Sequence, residues 1–120
     1  MAIFTTYLAN KPKLRAQMDI GSCFVYFVMR KRGNDEVAPT ETLLHDAKTG
    51  RITWETYEES YLWRLRNDSA AQKWMEKRAG DAKIGNILLV CFEKDATRCH
   101  RRLLAEEIAR RFGAEYKGEV

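Results

Sequence analysis

Five side chains with distinct chemical capacities lie close together in the last third of the sequence: Cys91, Glu93, Cys99, His100 and Arg101. A cysteine thiolate is a nucleophile, and a carboxylate or an imidazole can accept and return a proton. A guanidinium can hold a phosphate or a carboxylate through two parallel hydrogen bonds. This segment therefore predicts an anion-binding site at which thiol chemistry is also available.

The pattern around these residues predicts a strand, a loop and a helix. Residues 86–93 form an apolar run typical of a strand, and Cys91 and Glu93 alternate to the same side near its carboxyl end. Residues 98–112 have helical spacing and are followed by a glycine, a common helix stop. We expect Cys99 in the first turn of this helix, where free N–H groups and the helix dipole favour anions and lower the pKa of a thiol.

The remaining elements are predicted from local patterns. Strands are expected at residues 2–8 and 22–30, and the unbroken apolar run inside the second predicts a strand buried on both faces. Three helices are expected to begin at hydroxyl-bearing capping residues: Thr40, Thr53 and Ser69. A last short strand is expected near Glu115. Strands that alternate with helices predict one small three-layer α/β domain over residues 1–120, with a mainly parallel sheet of about four strands covered by helices.

The carboxyl ends of the first two predicted strands supply further candidates for the site. Parallel sheets bind ligands at the carboxyl ends of their strands. The ligand-binding candidates at these two ends are Thr6, Tyr7, Asn10 and Arg30. Lys11 and Lys13 belong to the same loop as Asn10, and we expect them to reach the same pocket.

The order of the site residues is similar to a known signature. Cys-x-Glu-Lys-Asp at residues 91–95, followed by Cys-His-Arg at residues 99–101, resembles the pattern of the uncharacterised domain-of-unknown-function family 488. Upstream, residues 3–10 resemble that family's opening strand, and residues 49–55 resemble part of its middle helices. The loop at residues 31–36 departs from the family's pattern. The resemblance implies a compact α/β fold and a shared site, and it implies no defined activity.

Three functions are compatible with this segment. The leading hypothesis is an anion-recognising domain in which Arg101 binds a nucleotide or nucleic-acid phosphate. In the structural alternative for the same residue, Glu93 pairs with Arg101 and holds the loop. The second function is a thiol-dependent enzyme with Cys99 as nucleophile and Glu93 or His100 moving protons, although neighbours on a helix point about 100° apart, which disfavours His100 as the base. The third is a protein-interaction module without catalytic activity.

The cysteines and histidine predict neither a metal site nor another cofactor. A zinc site would draw on Cys91, Glu93, Cys99 and His100, but their spacing matches none of the common structural zinc patterns. The sequence has three cysteines and no visible export signal, which argues against a disulfide framework. A Cys91–Cys99 bridge is therefore disfavoured.

The composition is that of a globular protein. The 120 residues are 45% apolar and 32% charged, with a net charge of +4, which permits a polyanionic partner without requiring one. No signal peptide and no apolar run of membrane-spanning length is visible, so we expect a cytoplasmic protein with no membrane partner. Glu106 and Glu107 stand four residues before Arg110 and Arg111, and Arg102 stands four residues before Glu106. This spacing favours an ion-paired helix face over a nucleic-acid surface.

Overall fold

A computed structural model describes residues 2–10, 23–95 and 98–120 of the chain; Lys11 and Lys13, predicted near the site, lie outside the described residues. The strands are β1 (Ile3–Tyr7), β2 (Cys23–Phe27), β3 (Asn86–Cys91) and β4 (Tyr116–Glu119). The α-helices are α1 (Glu41–Lys48), α2 (Trp54–Asn67), α3 (Ser69–Asp81) and α4 (His100–Phe112), and a short 3-10 helix (Leu8–Asn10) follows β1.

The four strands form one parallel sheet in the order β2-β3-β1-β4. Tyr7 of β1 lies opposite Cys91 of β3, and Phe27 of β2 lies opposite Val90, so three strands end at nearly the same level. This edge of the sheet is where the predicted site residues follow β3. Within the described part of the chain, a parallel sheet with four α-helices confirms the predicted small three-layer α/β fold.

The central strand β3 is buried on both faces, as its apolar sequence predicts. Ile87, Leu89 and Cys91 belong to the main core, to which α2, α3 and α4 contribute buried side chains. Leu88 and Val90 point to the opposite face and form a second buried cluster. Alternate side chains of a strand point to opposite faces, so both faces of β3 need apolar residues.

The prediction that β2 is a strand over residues 22–30 buried on both faces is wrong in its length and in its burial. The strand covers Cys23–Phe27 and lies at an edge of the described sheet, with Phe24 40% exposed. An apolar run alone does not distinguish a central strand from an edge strand that packs on one side. The residues that follow, Val28 and Met29, are the buried ones, and they continue toward the site.

The helix ends follow the local capping signals closely. The Thr40 hydroxyl accepts a hydrogen bond from Leu43 N–H at the start of α1, and Thr53 caps α2 in the same way. The cap of α3 is Asp68 and not the predicted Ser69, because the Asp68 carboxylate accepts from Ala70 N–H. At the C-terminal end of α4, Gly113 stops the helix in the left-handed conformation, with a φ of 77°.

None of the described helices has the length and apolar character needed to cross a bilayer.

An ion pair between buried Arg101 and the half-buried side chain of Glu119 fastens β4 to the rest of the fold. Arg101 of α4 has no exposed surface, and its Nε and Nη2 donate to the two carboxylate oxygens of Glu119 at 3.0 Å and 2.5 Å. The same guanidinium donates to the main-chain oxygens of Glu93 and Lys94 in the loop after β3. One side chain therefore joins α4, β4 and the loop that carries the candidate site.

Replacing Glu119 by Gln should lower the free energy of unfolding by about 2 kcal/mol, because Arg101 would keep its charge in a buried position without a counter-charge. Urea denaturation of the purified protein measures this difference. The matched control is Glu106→Gln, which removes an exposed partner of Arg102 and should cost about 0.5 kcal/mol or less. Equal effects of the two substitutions would contradict the anchoring role of the Arg101–Glu119 pair.

Candidate functional site

A cavity of about 150 Å³ opens where the ends of β2 and β3 meet the start of α4. Its walls come from the segment after β2, from α1 and α2, and from the loop between β3 and α4: Met29, Arg30, Pro39, Leu44, Lys48, Tyr57, Cys91, Phe92, Glu93, Arg98, Cys99 and His100. Five residues predicted from sequence are in this wall: Cys91, Glu93, Cys99, His100 and Arg30. The cavity therefore lies at the edge of the sheet to which the carboxyl-end rule for parallel sheets points.

Cys91 and Cys99 form a disulfide, which corrects the expectation that they would not be bridged. Cys91 is the last residue of β3 and Cys99 caps α4, and both are 2% exposed. The number of cysteines and the lack of an export signal could not predict that the fold brings these two side chains together. The end of β3 and the start of α4 thus bring the two sulfur atoms together at the cavity wall.

His100 is held in one tautomer by its neighbours. Its Nε2 lies 2.6 Å from the carbonyl oxygen of Val28, and because a carbonyl only accepts hydrogen bonds, Nε2 carries the proton. Nδ1 is then unprotonated and lies 3.8 Å from Sγ of Cys99. The ring also packs edge-on against Tyr61, at a centroid distance of 5.6 Å. A proton acceptor is thus aimed at a cysteine sulfur.

The contact between Cys99 and His100 corrects the expectation that neighbouring residues would point apart. Cys99 is the N-cap of α4 and has extended backbone angles, with a φ of −137° and a ψ of 143°. The rotation of about 100° per residue applies only inside a helix. A capping residue lies outside that regular geometry, so its side chain can turn back toward the first helical residue.

The pKa of His100 is lowered to about 4, mainly because the ring is buried. The hydrogen bond to Val28 opposes this effect and raises the pKa. Of the nearby charges, Arg101 lowers the pKa and Glu93 raises it. The ring is neutral at physiological pH. Burial, with a contribution from Glu93, likewise raises the pKa of Tyr57, so the phenol in the cavity wall stays protonated.

Arg101 lies behind the cavity and does not contribute to its wall. All three nitrogen atoms of the guanidinium donate: Nε and Nη2 to Glu119, Nη1 to Cys91 Sγ at 3.4 Å and to the Glu93 carbonyl, and Nη2 also to the Lys94 carbonyl. The expected side-chain pair between Glu93 and Arg101 is not formed, because the Glu93 carboxylate binds Lys48 at 2.8 Å. Arg101 is therefore not placed to bind a ligand in this cavity.

Three cationic side chains surround the cavity: Arg30, Lys48 and Arg98. Arg30 pairs with Glu41 at 3.3 Å, and Lys48 pairs with Glu93, in both cases at exposed positions. Such pairs are weak and can exchange for a ligand at little cost. Among the described residues, no ion pair engages Arg98. Lys48 and Arg98 also border a second, more open cavity, which continues toward Trp54.

The candidates from β1 lie apart from the cavity. Thr6 and Asn10 both donate to the carbonyl oxygen of Val120, at 3.0 Å and 3.1 Å, on the side of β1 that faces β4. Tyr7 lies beside Cys91 in the sheet register and is half-buried, but it does not reach the cavity wall. The expected role of these three residues as ligands gains no support from their positions.

Cys91, Cys99 and His100 could also hold a metal ion. One ligand atom from each lies within 4.8 Å of the others. Two thiolates and an imidazole, with a fourth position open to solvent, form the donor set of some catalytic zinc sites. The disulfide occupies both sulfur atoms, so this capacity belongs to the reduced form.

Sequence reasoning missed Lys48 as a residue of the site. Lys48 is in the last turn of α1, where a lysine is an ordinary helix-terminal residue. No spacing connects it with the segment at residues 91–101, since only packing of α1 on the loop brings them together. Arg98, by contrast, directly precedes Cys99, so the sequence contained a local signal for it.

The neutral His100 predicts a specific pH dependence of stability. Between pH 4 and about 6.5 the unfolded chain binds a proton at this residue that the folded protein does not, so the free energy of unfolding should rise with pH, by about 3 kcal/mol in all. Urea denaturation of the disulfide form across this range should show that His100→Gln lacks this increment. The exposed His45 supplies the control, because His45→Asn should keep the wild-type slope. A wild-type slope in His100→Gln would contradict the neutral, buried ring.

Comparison with known families identifies the chain at the level of its family. A family model, DUF488-N3a, described as "Active DUF488-N3 subclade", matches residues 32–112, which include the whole segment from Cys91 to Arg101. No curated protein matches the chain, and no solved structure matches it. The matched region covers more than half of the sequence. The chain therefore belongs to the DUF488 family, as a member of its DUF488-N3a group.

Proposed function

We propose that this protein is a thiol-dependent enzyme in which Cys99 is the nucleophile and His100 accepts its proton. The observation that carries the proposal is the 3.8 Å contact between Sγ of Cys99 and the unprotonated Nδ1 of His100 at the wall of a cavity. A nucleophile, an adjacent base and a third group that orients the base are the parts of such a site. The Val28 carbonyl is the orienting group. The description of the matched subclade as active is in keeping with an enzyme.

The proposed chemistry belongs to the reduced form. Cys99 transfers its proton to Nδ1 of His100, and the N-terminal end of α4 stabilises the thiolate through its dipole and free N–H groups. The pKa of about 4 for His100 describes the disulfide form, in which Cys99 has no charge. A thiolate at 3.8 Å would favour the imidazolium, because an opposite charge at that distance stabilises the charged form. The reaction class is nucleophilic displacement, in which Sγ forms the new bond and the leaving group departs with the bonding electrons.

The substrate proposed for this site carries an anionic group. Arg98 supplies a cation with no ion pair in the described part of the chain, and Arg30 and Lys48 hold only exposed partners. A guanidinium binds a phosphate or carboxylate in a defined orientation. Among such ligands a nucleotide or nucleic-acid phosphate is the favoured class, because the wall adds the exposed aromatic ring of Phe92, on which a base could stack.

Anion recognition without catalysis is the second candidate function. It rests on the same cations and needs no reactivity of Cys99. A protein-interaction module with an inert cavity is the third. The thiol chemistry of Cys99 separates these functions, because only the enzyme requires an accessible thiolate.

In a reduced, metal-free Cys23→Ser, Cys91→Ser protein, we expect Cys99 to react with iodoacetamide with a titration midpoint below about 8.5, the value for an ordinary thiol. Adding His100→Gln should raise that midpoint by about one pH unit, because the proton acceptor is lost. Mass spectrometry of the alkylated protein measures both rates against pH. An ordinary midpoint that does not respond to His100→Gln would exclude the thiol enzyme and leave anion recognition.

The charge of the cavity rim predicts a preference among reagents. Iodoacetate is anionic and iodoacetamide is uncharged, so Arg98→Gln should slow alkylation of Cys99 by iodoacetate several-fold and leave the iodoacetamide rate unchanged. Lys117→Gln removes an equal charge from an exposed residue of β4 and serves as the matched control.

The same alkylation assay tests the ligand class. Adenosine monophosphate should protect Cys99 from iodoacetamide and adenosine should not, whereas equal protection by both would exclude phosphate recognition.

A further inference from the structure

We propose that Cys91 is a second reactive thiol of this site, and that the Cys91–Cys99 pair reduces small anionic disulfides by thiol–disulfide exchange. The inference rests on the proposed function, since it uses Cys99 as the attacking thiol. It adds the class of substrate, the role of Cys91 and a role for Arg101. None of these is required for Cys99 to act as a nucleophile alone.

The positions of the two sulfur atoms carry the first step of this inference. Cys91 and Cys99 are disulfide-bonded to each other, and both side chains line the cavity. A small molecule attached to Cys99 would therefore lie within reach of Cys91. Cys23, which is not disulfide-bonded, is on β2 and does not line the cavity. The chain thus provides one attacking thiol and one resolving thiol at the same wall.

The two thiols have different partners for their charge and proton. Cys99 faces Nδ1 of His100, a proton acceptor, whereas Cys91 receives a hydrogen bond at 3.4 Å from Nη1 of Arg101. Arg101 is fully buried, so its charge is screened little by water, and it favours the thiolate form of Cys91. Glu119 and the loop carbonyls hold the guanidinium in place. Arg101 is a positioning residue in this scheme, because it acts through Cys91.

The exchange proceeds in two balanced displacements. The Cys99 thiolate attacks one sulfur of the substrate disulfide, forms a mixed disulfide and expels the first substrate thiolate. The Cys91 thiolate then attacks Sγ of Cys99, forms the Cys91–Cys99 bond and expels the second substrate thiolate. The two departing thiolates take up the protons that the two cysteines released. The protein loses two electrons, the substrate disulfide gains them, and an external thiol such as dithiothreitol restores the reduced pair.

The size and charge of the cavity select the substrate class. A volume of about 150 Å³ admits a small group and not a folded protein segment. The cations Arg30, Lys48 and Arg98 at its rim favour substrates that carry carboxylates or phosphates. Low-molecular-weight disulfides with anionic groups meet both conditions.

The test uses dithiobis-nitrobenzoate, a dianionic aromatic disulfide whose released thiolate absorbs visible light. The reduced, metal-free Cys23→Ser protein should release two thiolates per chain in two phases and end as the Cys91–Cys99 disulfide, with no adduct by mass spectrometry. The Cys23→Ser, Cys91→Ser protein should release only one thiolate per chain and should keep a stable adduct on Cys99. Adding Arg98→Gln to Cys23→Ser should slow the first phase with this reagent, but not with uncharged dithiodipyridine.

Arg101→Lys, also in the Cys23→Ser protein, should slow the second phase about threefold and leave the first phase unchanged. A thiol pKa that is one unit higher cuts the thiolate fraction about tenfold, and the more basic thiolate is about threefold more nucleophilic. Arg102→Lys is the matched control and should change neither phase. Glu119→Gln removes the carboxylate that competes with the Cys91 thiolate for the charge of Arg101, so it should speed the second phase, and it serves if Arg101→Lys fails to fold.

The outcomes separate the two proposals. A stable adduct on Cys99 in the Cys23→Ser protein would overturn the exchange activity while leaving Cys99 a nucleophile. No fast reaction of Cys99 in either background would overturn both proposals. Equal rates with charged and uncharged disulfides would overturn the substrate class, and an unchanged second phase in Arg101→Lys and Glu119→Gln would overturn the role of Arg101.

Discussion

The buried guanidinium of Arg101 is the interaction on which the site depends. A charged group with no exposed surface is stable only if every donor finds a partner, and here the partners come from three separate parts of the chain. Glu119 neutralises it, the carbonyls of Glu93 and Lys94 shape the loop, and Cys91 receives the remaining hydrogen bond. Glu93 and Lys94, which directly follow β3, are therefore held around one cation beside Cys91.

Other charged residues of α4 and its neighbours serve the fold and not the site. Glu107 is buried, and burial raises its pKa, but hydrogen bonds from Arg110 and Arg66 outweigh that effect and lower it overall. Arg102 bonds Glu106 and also reaches Glu58 of α2. These pairs support the interpretation of the arginines as an ion-paired helix face that also ties α4 to α2. Of the cations around the cavity, Arg30 and Lys48 come from other elements, and Arg98 lies just before the start of α4.

The sequence predicted the elements well and the partners of its charged residues poorly. Strand β3 and helix α4 were predictable because an apolar run and a helix followed by glycine are local signals. The pairing of Arg101 with Glu119 and of Lys48 with Glu93 was not, because it depends on which elements pack together. The contact of Cys99 with His100 was missed because the helix begins at His100 and not at residue 98, which leaves Cys99 as the capping residue outside the helix. Local patterns thus indicated the segment that borders the cavity, and tertiary packing decided which side chains face it.

The strand order has a consequence for how the protein is made. Strand β1 leaves the ribosome before the other three described strands, yet its sheet neighbours are β3 and β4, so Ile3 pairs with Ile87 and Tyr116. Neither neighbour exists until most of the chain has been synthesised. During that interval an apolar strand with two unsatisfied edges is open to wrong pairing, the condition under which nascent chains aggregate and chaperones are needed. Slow, late closure of the sheet around β1 is thus built into the topology.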